Sequence, residues 1–299
     1  MNGHVALATG LALLTASLYA SSNVLKLLEA EQVPVEYALK LGLLARLIRR
    51  PRWLLGIGCD ACGYVTHASA LALAAVVFVE PLLATSILLS LFVGAAFVHR
   101  PVQAAGWAAA VVLSAGLAVF LYEVAPTGGD ATAAGGQWVV AGAVVAGFVA
   151  ACVTGGRLSA GSRRAAFLGA AAGALFGVNA VLTKGIVHYL GDGPFAWVPH
   201  WEPYVLIVSA LTGLVVAQSA LQTGALGASV GAIETLTVLT GSVLGITLLD
   251  ENIGAGGPFE AAVIGVAIVA IVTGIIGLAR AEEKLVSERG ARHPNSKLA

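Results

Sequence analysis

Residues 53–98 read WLLGIGCDACGYVTHASALALAAVVFVEPLLATSILLSLFVGAAFV. Two apolar runs, 53–74 and 79–98, follow each other with almost no linker, and each has the length of a bilayer-spanning helix. Asp60, His67 and Glu80 sit inside this stretch. An ionisable side chain at membrane depth costs roughly 2.5–3.5 kcal/mol on insertion scales, so each of them is a candidate for function rather than filler. A similar pair of runs returns at 204–249 and carries Gln218 and Glu234.

Composition agrees. Apolar residues make up 58% of the chain and charged residues 11%, against about 25% charged in soluble domains. No segment has the makeup of a soluble domain. Abundant glycine suits close helix packing in lipid. The formal charge is zero, which excludes a nucleic-acid partner on electrostatic grounds. Cys59, Cys62 and Cys152 all lie in apolar runs, where small thiols pack as hydrophobes. The C-x-x-C formed by Cys59 and Cys62 leaves a redox or zinc role open. The first apolar run has no Lys or Arg before it, unlike a signal peptide.

The hydropathy pattern predicts an all-α polytopic membrane protein with about ten spans, at 5–25, 33–48, 53–74, 78–98, 104–122, 137–155, 165–187, 203–223, 227–249 and 258–280. The second is short and contains Glu36 and Lys40. Ten spans with a cytoplasmic start put Arg46, Arg49, Arg50, Arg52, Arg100, Arg157, Arg163, Arg164 and Arg280 inside, as the positive-inside rule requires. Both termini are then cytoplasmic, in a bacterial inner membrane. Losing the second span would put Arg49, Arg50 and Arg52 outside. Trp53, Trp138, Trp197 and Trp201 read as interface anchors.

Spans three, four and five match eight, nine and ten in glycine placement, and an odd offset of five reverses their direction. That predicts two inverted five-helix repeats, the plan of many secondary transporters. The halves are 1–123 and 137–281, joined by an outer loop at 124–136 and followed by a disordered cytoplasmic tail at 282–299. A helix rises about 1.5 Å per residue, which places Asp60 about 12 Å from the inner surface and Glu234 about 10 Å deep. Gln218 descends to the same level, so these three are expected to meet. His67 and Glu80 form an outer pair. Asn179, Gln218 and Gln222 read as pathway groups or as bonds between helices, and Lys26 and Lys184 as lysines reaching headgroups from outer helix ends.

Ser21-Ser22-Asn23-Val24-Leu25-Lys26, the segment from Cys59 to Ala68, Thr183-Lys184-Gly185 and Leu249-Asp250-Glu251 together carry a resemblance. The plan resembles the drug/metabolite transporter superfamily, and within it the layout looks most like the NIPA-type magnesium transporter family. On that match Asp60 takes the family's acidic position, while Gly63 and His67 stand where the family has Asn and Tyr.

The resemblance implies a divalent-cation permease, for Mg²⁺, working by alternating access. Mg²⁺ wants oxygen ligands and keeps several waters; Asp60 and Glu234 are the expected ligands, with Gln218 and Asn179 beside them. The alternative is a proton-coupled exporter or a flippase of a lipid-linked metabolite, with Asp60, His67 or Glu80 carrying the proton and the lysines meeting an anionic substrate. The chain shows no Ser/His/Asp set, metal-ligand spacing or phosphate loop, so neither an enzyme nor a cofactor is expected. The expected partners are a small solute, membrane lipid and a second copy in a homodimer.

Overall fold

The computed structural model describes residues 3–73, 82–83, 85–97, 102–124, 135–193, 195–249 and 257–292. Among them there is no strand. The helices are α1 (Gly3–Ala30), α2 (Leu41–Leu47), α3 (Pro51–Leu73), α4 (Ser86–Phe97), α5 (Ala104–Val124), α6 (Gly135–Leu158), α7 (Gly161–Asp192), α8 (Glu202–Leu221), α9 (Leu226–Leu248) and α10 (Pro258–Arg292). Of the described helices, 7 are long and apolar enough to cross a membrane: α1 and α5 to α10. This is the pattern of a polytopic α-helical membrane protein. α3 is long enough, at 23 residues, but Asp60 and His67 lower its hydropathy. The described part of α4 is 12 residues long.

The expected span at 33–48 does not form. Pro34 opens a single 3₁₀ turn, Val35–Tyr37, and the chain then makes the seven-residue α2. A helix of that length rises about 10 Å, a third of the bilayer core. Its apolar residues are used differently: Leu43 and Leu47 are buried with Val33 and Trp53. The two ends of this connection lie side by side, since Arg50 Nη1 is 2.8 Å from Glu29 Oε2. The chain therefore leaves α1 and enters α3 at the same end of the bundle.

From there the directions follow from which residues touch. α1 and α3 are antiparallel, with Thr15 bonded to Thr66 and Lys26 to Asp60. α7 and α8 are antiparallel, with Asn179 bonded to Ser209. α7 and α9 run parallel and close: a Cβ at Gly169 would meet the Ser229 carbonyl at 2.8 Å, and one at Gly177 the Gly241 nitrogen at 2.8 Å. α5 and α10 are antiparallel, with Gly116 against Ala270 and Gly274 against Leu113. The main core joins α1, α4, α5, α8, α9 and α10 through Leu27, Leu91, Leu113, Leu221, Val230 and Ile271. α6 is peripheral, with only 11% of its span buried.

Two boundaries also differ from expectation. α10 continues as helix to Arg292, so the expected tail is helical over 282–292, and 293–299 lie outside the described residues. Of the expected loop at 124–136, Val124 ends α5 and Gly135 begins α6; 125–134 lie outside the described residues.

Candidate functional site

One stripe of α3 holds Trp53, Gly56, Asp60, Gly63, His67 and Ala70, at alternating steps of three and four residues, and Gly56, Asp60, Gly63 and Ala70 on it meet α1. That spacing makes a narrow seam on a helix. Trp53, Gly56, Gly63 and Ala70 are buried, while Asp60 and His67 are half-buried. The two glycines let α1 come close. A Cβ at Gly63 would lie 2.5 Å from the Tyr19 ring, and one at Gly56 would lie 3.1 Å from Lys26 Cγ. Lys26 thus lies along the seam, and its Nζ donates to Asp60 Oδ2 at 2.8 Å. The lysine side chain is 12% exposed and the aspartate 36%.

This pair contradicts the expectation that Lys26 stands at the outer end of the first span, far from Asp60. The cause is the missing second span. With 33–48 folded as a connection, the end of α1 and the start of α3 share the arginine-bearing side.

Gln218, Ser219 and Gln222 occupy one face of α8, where they clasp that connection. Gln218 Oε1 accepts from Trp53 Nε1 at 3.1 Å. Ser219 Oγ accepts from the Leu39 N–H at 2.9 Å. Gln222 Nε2 donates to the Val33 carbonyl at 2.6 Å and the Pro34 carbonyl at 3.0 Å. Trp53 is therefore a buried donor, 5% exposed, instead of an interface anchor. Trp138 and Trp201 meet edge to face at 5.3 Å.

The remaining candidates stand on α7, α8 and α9. Asn179 Oδ1 accepts from Ser209 Oγ across the α7–α8 seam. Glu234 is half-buried in α9, which packs chiefly on α7, whereas α3 packs chiefly on α1. Asp60 bonds Lys26 on α1, and Gln218 bonds Trp53, two turns before Asp60 on the same stripe of α3. No group of three or more His, Cys, Asp or Glu is placed to hold a metal ion among the described residues. Glu80 and the Lys184 side chain lie outside the described residues, and the three cysteines are free thiols.

One polar cluster has no counterpart in the sequence reading. Glu202, in the first turn of α8, is 7% exposed, and its Oε1 accepts from Tyr189 Oη at 2.9 Å. His200 stacks on the Tyr189 ring at 3.6 Å and 9°. Burial, and then the adjacent Glu202, push the Tyr189 phenol up to about 12. The signal was a tyrosine and a carboxylate flanking an aromatic turn, a pattern with no fixed spacing to search for. Two apolar cavities lie elsewhere. One of about 760 Å³ runs between α6 and α9, from Gly136 to Phe148 on one wall. One of about 280 Å³ lies under Trp138 and Trp201.

The chain is 25% identical over 267 residues to an uncharacterized protein of Corynebacterium glutamicum, covering 84% of this chain and 87% of that one. No family model matches the chain, and no solved structure matches it. What geometry and likeness define together is a multi-pass α-helical membrane protein, similar along most of its length to a corynebacterial one.

Proposed function

We propose that this chain is a transporter of the drug/metabolite type that couples solute movement to protons through the Lys26–Asp60 pair. The observation that carries this reading is the pair itself, 2.8 Å long, with Asp60 nine residues into α3 and so about 13 Å from its end. A half-buried ion pair, with Asp60 36% exposed, adds little net stability, so its presence here is better accounted for by work than by stability. A proton arriving at Asp60 frees Lys26, and its departure restores the pair. The two states differ in charge at one point of the seam, as a coupling site requires.

The helix directions support a related plan. Taken in order, α1, α3, α4 and α5 each run opposite to their counterparts α7, α8, α9 and α10, and α6 is the single crossing that reverses the second set. The repeat becomes four helices against four, rather than five against five. The two hairpins are tied by polar pairs at their ends, Glu29 with Arg50 and Tyr189 with Glu202. Halves of this kind rock against each other, and the Lys26–Asp60 pair lies inside the first of them.

Magnesium transport, the inference from the NIPA resemblance, has less support. Lys26 already neutralises Asp60, and Asp60 and Glu234 stand on helices with different packing partners. The membrane sidedness changes too. The positive-inside rule places the arginine-bearing ends in the cytoplasm, which puts the carboxyl end of α10 inside and the amino end of α1 on the opposite face of a bacterial inner membrane.

Purified protein in liposomes loaded with a pH-sensitive dye tests the reading. Solute added outside should move protons, and Asp60→Asn should abolish that movement. Magnesium flux driven by voltage alone, with no proton movement for any solute, would overturn it.

A further inference from the structure

We infer that the α1–α3 seam binds a small anion through its acceptor oxygens, with Ser22 and Asn23 as donors beside Lys26. Hydroxyls on α1 normally return to the carbonyl four residues back: Thr15 to Leu11, Ser17 to Leu13, Ser21 to Ser17. Ser22 does not. It is 0% exposed, and its Oγ has no partner among the described residues. The neighbouring Asn23 Nδ2 is also buried and without a partner.

An amide nitrogen only donates, and a lysine ammonium only donates. Ser22 and Asn23 stand four and three residues before Lys26, so all three project from one turn of α1. The turn faces Gly56, where a Cβ would lie 3.3 Å from the Ser22 carbonyl and 3.1 Å from Lys26 Cγ. Glycine lets α3 lie directly against this turn, which holds Ser22 and Lys26 at the helix contact. The group that completes this turn must bring acceptors and negative charge, as a carboxylate or phosphate does. A hydrated Mg²⁺ presents donors from its bound waters, so it would leave the Asn23 and Lys26 nitrogens unsatisfied.

The exchange balances. A proton from the aqueous phase binds Asp60 Oδ2, and the Lys26 Nζ it releases turns to the anion. One proton and one negative charge then occupy the seam together, and both leave on the other side. This inference rests on the proton-coupled reading, and its binding step is measurable without transport.

The test uses the purified full chain in nanodiscs, titrated with inorganic phosphate, succinate and MgCl₂ in separate arms while thermal stability and heat of binding are recorded. Phosphate or succinate should raise the Tm saturably, more at acid than at alkaline pH, and the two arms distinguish the acceptor chemistries. Ser22→Ala and Asn23→Ala should each weaken that binding about tenfold, the loss expected for a hydrogen bond to a charged group. Asn23→Asp keeps the side-chain size and should abolish binding even if the alanine variant folds poorly. Asp60→Asn should tighten binding and remove its pH dependence, which a purely structural role would not do. Stabilisation by MgCl₂ alone, by no arm, or by an anion equally in the Asn23 variants overturns the inference. Anion binding without proton movement in liposomes would leave the site standing and sink the coupled transporter.

Discussion

At Asp60 and Lys26 the cost of each charge depends on the other. Either one alone in the seam is an unpaired charge at membrane depth, whereas the two together are a neutral pair. Asp60 retains some access to its surroundings, which lowers the penalty. Lys26→Gln and Asp60→Asn are each expected to cost about 1–2 kcal/mol, and the double variant less than the sum of the two. Thermal unfolding of the three proteins in one detergent checks this, and strict additivity would mean that the pair contributes no coupling. Asp60 was legible in the sequence as an expensive polar group in an apolar run, and Lys26 only as a lysine reaching headgroups from a helix end. Their partnership was not, because it depends on whether residues 33–48 cross the membrane. A charge in a sequence announces its own cost but not the element that will neutralise it.

Elements explain why that crossing was misread. Residues 33–48 carry enough Val, Leu and Tyr to suggest a weak span, but Pro34 interrupts it and Glu36 and Lys40 punctuate it. The structure spends the apolar side chains on a small core with Trp53 and fastens the backbone to α8 through Gln222. Gln222→Leu, which leaves the buried Val33 carbonyl and the Pro34 carbonyl without their donor, should cost about 1–2 kcal/mol. It should also speed hydrogen exchange over 31–50, read by mass spectrometry, without altering α5 or α10. The long apolar helices were predicted well, because eighteen or more apolar residues admit few alternatives. Their contacts are set by glycines whose partners no sequence names. A Cβ at Gly173 would collide with the Ile233 carbonyl, so Gly173→Ala should cost about 1–3 kcal/mol by overpacking. Gly142→Ala, with nothing within 4 Å of its Cβ, should be neutral. Equal losses of Tm at the two positions would rule out the tight parallel packing of α7 on α9.

For the molecule as a whole, the decisive quantity is the parity of the crossings. With 33–48 held at one end, α1 must start on the face opposite to Arg50, Arg157, Arg163 and Arg164. The same shift pairs Lys26 with Asp60 and leaves α6 as the helix that inverts the second half. Sidedness, the site and the repeat therefore stand or fall together. Single cysteines introduced into a variant lacking Cys59, Cys62 and Cys152 measure the parity directly. In intact bacterial cells a membrane-impermeant maleimide should label a cysteine at Gly3, and should leave cysteines at Gln32 and Ser159 unlabelled until the membrane is opened. Gly3 protected until lysis, with Gln32 labelled in intact cells, would restore the expected second crossing. Lys26 would then return to the outer end of α1, and the ion pair on which coupling depends would come apart.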